Sequence, residues 1–468
     1  MSITPSENLS PVSGAHDDRK ALLEEAARRA GAFLDGLDDR PVFPGEEALA
    51  SLEAFDEAMP AAPQDPLETL NLLDRAGSPA TVASANGRYF GFVIGGALPA
   101  AMAANMLAAA WDQNAGMVIA SPVSAKLEAV ALRWMVDLFG LPAGTGAGFV
   151  SGATMANFGG LAAARHAQLR KAGWDVEAQG LFGAPPLTVI VGQEVHVSLL
   201  KALSLLGLGR ERVVRVPVDD QGQMRADALP AISGPAIVCI QAGNVNTGGF
   251  DPAAEVCRAA HDAGAWVHVD GAFGLWAAAV PSRAHLTVGI NQADSWATDA
   301  HKWLNVPYDC GLVFCRSAAD LRSALSHIPA AYLNEPGQRN PMDYTPEMSR
   351  RARGLEVWAA LRTLGRDGLA DLVDRCCRYA ARFAEGLSAA GYEILNDVVL
   401  NQVLISFGSP EKTQQIIRAI QQDGTCWCGG TVWQGRTAMR ISVSSWATTE
   451  ADVEASLDAM LRIAAAHA

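Results

Sequence analysis

Four short apolar runs, LTVIV at 187–191, AIVCI at 236–240, AWVHV at 265–269 and GLVFC at 311–315, are separated by stretches of helical periodicity. A strand that is apolar along its whole length is covered on both faces, whereas a strand with one wet face alternates. Helices between such strands act as crossover connections, so the pattern predicts an α/β fold with a mainly parallel sheet. The periodicity places helices at about 123–138, 154–171, 196–206 and 252–263, and 295–297 reads as one more extended piece. Ligands of such sheets bind outside the carboxyl ends of the strands.

The flanking segments are of a different kind. A helix is expected over 18–37, then Pro41, Pro44, Pro60, Pro63 and Pro66 punctuate the chain up to about residue 85. After residue 320 come a loop at 329–344, helices at 353–364 and 369–387, and a compact terminal unit. That unit reads as an apolar stretch at 398–407, a helix at 411–422, a strand at 439–443 and a helix at 450–465. Three cooperating parts result: an N-terminal helical segment expected to serve dimerisation (1–85), a large domain (86–345) and a small α+β domain (346–468).

Composition removes whole classes of function. Half the residues are hydrophobic and 18% are charged, which excludes a disordered chain. Acidic residues outnumber basic ones by 50 to 36, and a net charge of −14 argues against nucleic acid as partner. Eight cysteines without a CxxC pair suggest neither a disulfide framework nor a zinc site. The polar start lacks a signal-peptide pattern, so a reducing, cytoplasmic setting is expected. Tyr89 to Trp111 carries no charge, but its Ala/Gly content and Pro99 predict a buried loop and an interface or core helix rather than a membrane span.

Polar residues in unusual places mark the chemistry. Asp270 directly follows AWVHV, at the ligand end of a strand, although a lone aspartate there also fits a turn. Lys302 lies between His301 and Trp303, where partial desolvation makes an amine nucleophilic; taken alone, an amphipathic surface lysine is the better reading. Ser151-Gly152-Ala153-Thr154 opens a helix whose N–H groups could hold an anion, or simply forms a tight turn. His196 follows LTVIVG and could stack on a planar ligand or cap a helix. A lysine for a Schiff base, a carboxylate for a pyridine nitrogen, a phosphate cup and a stacking ring are together the requirements of pyridoxal 5′-phosphate (PLP).

From about Arg88 onward the chain resembles the group II PLP-dependent amino acid decarboxylases, of the aspartate-aminotransferase fold type I. The likeness rests on RYFGFV at 88–93, SGATMAN at 151–157, EVHVSLLKAL at 194–203, QAGNVNTGGFDP at 241–252, HVDGAFG at 268–274, HKWLNVPYDCG at 301–311 and SRRARGLEVWAALRTLG at 349–365. It implies a seven-stranded-type sheet in the large domain, a small C-terminal domain, and a homodimer with active sites at the interface. Carried over, Lys302 is the Schiff-base lysine, Asp270 pairs with the pyridine nitrogen, Ala272 and His196 flank the ring, and Ala153, Thr154 and His301 hold the phosphate. Tyr332 matches a tyrosine that protonates the substrate carbon. Arg440 matches a carboxylate-facing arginine.

Two departures stand out: Asn244 replaces a frequent Thr near the cofactor hydroxyl, and Asp299 replaces a frequent Asn near the phosphate. An acid beside a phosphate is unfavourable unless it pairs with a base. Phe90, Trp111, Gln113, Asn114 and Ser349 are candidate substrate contacts, with an aromatic L-amino acid favoured over acidic or diamino ones. The implied activity is decarboxylation to amine and CO2. An aldehyde synthase, lyase or aminotransferase on the same fold is the alternative, and a non-catalytic PLP-binding homologue a more distant one.

Overall fold

The computed structural model describes residues 15–326 and 339–467. A seven-stranded sheet forms its centre: β1 (Gly146–Val150), β2 (Thr188–Gly192), β3 (Val214–Val216), β4 (Ala236–Gln241), β5 (Trp266–Asp270), β6 (Ser295–Asp299) and β7 (Gly311–Cys315). The spatial order is β1-β7-β6-β5-β4-β2-β3. β3, β2, β4, β5 and β6 run parallel, and β7 is antiparallel to both β6 and β1. All four apolar runs are strands of this sheet. β1, β4, β5, β6 and β7 are buried at every position, as the lack of alternation predicts.

Helix Ala153–Lys171 crosses one face of the sheet, and Val197–Leu205 and Ala253–Asp262 are crossover helices. Those observed bounds lie within one or two residues of the periodicity-based ones. Two features were not expected. β3 is short and mostly exposed, so it has no hydrophobic signature. The two helices expected at 353–364 and 369–387 form one continuous run, Gly354–Ala389, kinked at Gly365, whose backbone adopts φ 60°. A left-handed residue in mid-run breaks the hydrophobic period without ending the helix, and glycine tolerates it.

This long helix ties the parts together. It packs on helix Pro99–Trp111, on helix Pro122–Leu138 and on the C-terminal sheet. That sheet is fully antiparallel, in the order β10 (Gly429–Trp433), β11 (Arg436–Ser442), β9 (Gln402–Ser406), β8 (Glu393–Ile394). Helices Pro410–Asp423 and Glu450–Ala466 accompany it. One hydrophobic cluster runs without a break from Phe90 through the large sheet to Ala464. No helix among the described residues is long and apolar enough to cross a membrane. The uncharged stretch at 89–111 is a loop followed by the helix Pro99–Trp111.

Phe90, a candidate substrate contact, belongs to that core. It is fully buried and meets Phe383 edge-on, with ring centroids 5.0 Å apart. Its N–H donates to the Trp427 carbonyl, and its own carbonyl accepts from Ser442 N–H. The expectation fails because a backbone bound into the small sheet turns the ring inward. Phe90→Ala therefore lowers unfolding stability by about 3–5 kcal/mol in urea titration, while a substrate contact would raise KM and leave stability intact.

Candidate functional site

The site lies where β5 and β6, neighbours in the middle of the sheet, end. β5 ends on Asp270 and β6 ends on Asp299, so two carboxylates emerge side by side at the ligand end. Both are buried, at 5% and 2% exposure, and a buried carboxylate must find donors. Asp270 Oδ1 accepts from Ala272 N–H (3.2 Å) and Oδ2 from the Asn157 amide (3.0 Å). Asp299 Oδ1 accepts from Ala153 N–H at 2.6 Å, and its Oδ2 lies 2.9 Å from Lys302 Nζ. The acid at 299 is thus paired with a base, which removes the objection to its place in an anion site.

Lys302 and His301 sit in a one-turn helix, Ala300–Trp303, directly after β6. His301 Nδ1 accepts the Cys310 N–H (3.0 Å), which leaves the ring proton on Nε2, 3.6 Å from Asp299 Oδ1. Burial lowers the His301 pKa, so the ring is neutral. Gly311 and Gly152 meet backbone to backbone beside it. A Cβ on Gly311 would come 2.5 Å from the Gly152 Cα, so the close approach of β7 to the Ser151-Gly152 turn needs glycine there.

His196 caps helix Val197–Leu205. Its Nδ1 takes the Ser198 N–H (3.3 Å) and lies 2.7 Å from Ser198 Oγ. Burial lowers its pKa first. Asp270 and Asp299 then oppose that shift, while Lys302 and Arg440 reinforce it. Four charged groups therefore converge on one neutral ring. Burial also lowers the Arg440 pKa; its guanidinium donates to Asn246 Oδ1 at 3.3 Å and makes no ion pair among the described residues.

Several candidate residues have other partners within the chain. Asn244 caps its own loop: its Oδ1 accepts from Asn246 and Thr247 N–H, so that oxygen is spent on backbone geometry. Gln113, Asn114 and Ser349 line a separate cavity of about 750 Å³ with Asn105, Arg350 and Arg351, whose lining includes none of Lys302, Asp270 and His196. Within it the Asn114 amide donates to Ser349 Oγ at 3.2 Å. Trp111 ends the neighbouring helix and is 44% exposed. Gln113 and Asn114 lie in the loop beyond helix Pro99–Trp111, and Ser349 in the loop before helix Gly354–Ala389. Thr154 lies in the first turn of helix Ala153–Lys171, as expected. Tyr332 lies outside the described residues.

Sequence reasoning missed the residues behind Asp270. Asn157 Oδ1 lies 2.8 Å from His268 Nε2, His268 Nδ1 lies 2.8 Å from Ser295 Oγ, and Trp266 Nε1 donates to Ser295 Oγ at 2.9 Å. A usable signal existed. Trp266, His268 and Asp270 alternate along β5 and so share one face, and polar groups at i and i+2 in an apolar strand demand partners.

The donor set fits PLP. Ala153 N–H is taken by Asp299 Oδ1 at 2.6 Å, so a phosphate would bind here by replacing that carboxylate oxygen. Lys302 supplies the amine. Each Asp270 oxygen takes one protein donor, which leaves lone pairs for a pyridinium N–H.

Comparison with known proteins gives the class. The family model for the pyridoxal-dependent decarboxylase conserved domain matches residues 51–408, and the chain belongs to that family. It is a PLP-dependent amino acid decarboxylase. Tryptophan decarboxylase 2 of Oryza sativa subsp. japonica is 27% identical over 397 residues, 78% of each protein. Phenylacetaldehyde synthase of Arabidopsis thaliana is 27% identical over 365 residues, 72% of this chain and 73% of that protein. The crystal structure of Oryza sativa TDC with PLP and tryptamine superposes with a TM-score of 0.89 at 22% identity, covering 99% of both chains.

Burial pushes the His268 pKa down to about 3. The folded ring is neutral, while the unfolded ring takes a proton below its ordinary pKa near 6.5, so this group's stabilising contribution is lost as pH falls. Between pH 7 and pH 5 the loss is about 2 kcal/mol. The difference in urea stability between the wild type and His268→Phe should shrink by that amount over this range; a constant difference would refute neutral burial.

Proposed function

We propose that the chain converts an aromatic L-amino acid to its amine and CO2, working as a homodimer. The residue assignment rests on the grouping of Lys302, Asp270, Asp299 and Arg440 around the half-buried ring of His196. The cofactor, when bound, supplies an electron sink for the bond that breaks. Lys302 offers the amine that holds it, and Asp299, 2.9 Å away, is the nearest base to take the ammonium proton. Asp270 would face the pyridine nitrogen as an acceptor. His196 would cover the ring without adding positive charge. Ala153, Thr154 and His301 would hold the phosphate. Arg440, a half-buried cation without a carboxylate partner among the described residues, orients the substrate carboxylate. Tyr332 delivers the proton to the carbon that loses CO2.

An aromatic wall supports the substrate class. Tyr308 stacks on His301 with centroids 4.2 Å apart, and Tyr89 stacks on Trp427 at 5.2 Å. Half-exposed Phe92 leans on the same Trp427. Burial raises the Tyr308 hydroxyl pKa, and Asp299 and Tyr89 raise it further, so this wall adjoins the anion cup. Tryptophan decarboxylase among the relatives agrees with this reading.

The dimer rests on helix Pro99–Trp111. Its inner side packs on helix Gly354–Ala389, while Met106, Leu107 and Trp111 are 53%, 54% and 44% exposed on an uncharged helix. Ile119, just beyond, is 83% exposed. Such an apolar surface calls for a partner. All eight cysteines are buried free thiols, which supports a reducing, cytoplasmic compartment.

An amino acid panel with mass-spectrometric product identification tests the reaction. Aromatic amine and CO2 are expected; aldehyde with ammonia would favour the synthase reading. Lys302→Ala abolishes turnover and the visible absorbance of the loaded enzyme, and a variant retaining both would refute the assignment. Tyr332→Phe diverts product toward aldehyde, whereas an unchanged amine yield removes Tyr332 from the reaction. Met106→Glu with Leu107→Glu shifts the mass by light scattering from dimer to monomer, and an unchanged mass would place the interface elsewhere.

A further inference from the structure

Behind Asp270 the hydrogen bonds form a single line: Trp266, Ser295, His268, Asn157, Asp270. Asn157, His268 and Ser295 are completely buried, and Trp266 is 6% exposed, so solvent does not complete any bond. The direction of every proton follows from one fixed end. An indole N–H only donates, so Ser295 Oγ accepts from Trp266. The one acceptor for the Ser295 hydroxyl proton among the described residues is His268 Nδ1. His268 must then carry its proton on Nε2, which faces Asn157 Oδ1. The Asn157 amide N–H is left to point at Asp270 Oδ2.

The reverse polarity has a defined cost. It would put a proton on His268 Nδ1, turn the Asn157 amide over and require a protonated Asp270. The Ser295 hydroxyl would then be buried without an acceptor, a loss that disfavours this state about 5- to 150-fold. The ring also has dedicated space. A Cβ on Gly160 would lie 2.7 Å from His268 Cε1 and 2.9 Å from Nδ1, so the helix bearing Asn157 is hollowed where the imidazole rests. β5 and β6 fix the register, with His268 directly opposite Ser295.

We propose that Trp266, Ser295, His268 and Asn157 form a one-way hydrogen-bond relay that holds Asp270 as an oriented, ionised acceptor for the cofactor's ring nitrogen. Asn157 and His268 are positioning residues, since they act through Asp270. The role rests on the assignment of Asp270 made under the proposed function, but the proton arrangement does not. The low pKa of His268 agrees with the neutral ring the relay requires.

The test has two arms. In protein labelled with 15N-histidine, side-chain nitrogen correlations report the His268 tautomer, assigned by the signal lost in His268→Phe. The Nε2–H tautomer at neutral pH is expected; the Nδ1–H tautomer or an imidazolium overturns the relay whatever the enzyme catalyses. In the holoenzyme, His268→Gln and His268→Phe separate relay from packing. Glutamine restores one acceptor and one donor, whereas phenylalanine keeps the ring shape and loses both.

The relay predicts that His268→Phe and Asn157→Leu lower kcat about 10- to 100-fold with KM nearly unchanged, and that His268→Gln recovers most of that loss. Full activity in Asn157→Leu, or a His268→Phe enzyme better than His268→Gln, refutes it. Should the wild type decarboxylate no amino acid, the functional reading fails, and the tautomer still decides the relay.

Discussion

Asp299 is the point at which the separate pieces of this site are fastened together. Its carboxylate takes the first N–H of helix Ala153–Lys171 and the ammonium of Lys302. Its backbone N–H donates to the Ala272 carbonyl, and its own carbonyl accepts the Trp276 indole N–H. β6, the loop after β5, the lysine turn and the helix start are thereby locked to one residue. A buried ion pair is a poor source of net stability, because desolvating both charges offsets their attraction. Its value is geometric: either partner alone would be a costly unpaired charge, so each holds the other in place. An asparagine here would keep the bond to Ala153 but lose the counter-charge to Lys302.

This explains why the site lies at the ends of two adjacent central strands. Parallel strands present their carboxyl ends on one edge, and β5 and β6 place Asp270 and Asp299 there with no loop to position them. His196 comes from the turn beyond β2, two strands further along the sheet order. The charges are therefore held by strand ends, whereas the apolar wall of Tyr89, Phe92 and Trp427 is contributed by residues outside the strands.

The fold was legible because continuous apolar runs admit few alternatives, and even short strands such as GLVFC stood out. What the pattern could not show was direction: β7 looks like its parallel neighbours in sequence, yet runs against them. The motif residues were legible as chemistry because Lys302, Asp270 and His196 occupy positions where apolar side chains would be normal, and the structure brings all three together. Phe90 misled for the opposite reason, since an aromatic beside a glycine-rich loop reads the same whether it faces a ligand or a core. Gln113, Asn114 and Ser349 lie in loops that meet only through tertiary packing, which short-range pattern does not encode. The partners of Asp270 were the hardest to see. Asn157 is distant in sequence, and His268 passed as part of a motif rather than as a buried polar group that needs two bonds.

Helix Ala153–Lys171 shows how one element serves both ends of the site. Its first N–H meets the carboxylate of Asp299, and Asn157, about 6 Å further along the axis, donates to Asp270. Gly159 and Gly160 follow in the helix interior, where each glycine costs about 1 kcal/mol relative to alanine. At Gly160 that cost is tied to a visible gain, because a methyl group there would strike the His268 ring. A helix optimised for its own stability would carry alanine and displace the imidazole. The sequence instead accepts a weaker helix, which lets the strand, the ring and the helix share one continuous set of hydrogen bonds from Trp266 to Asp270.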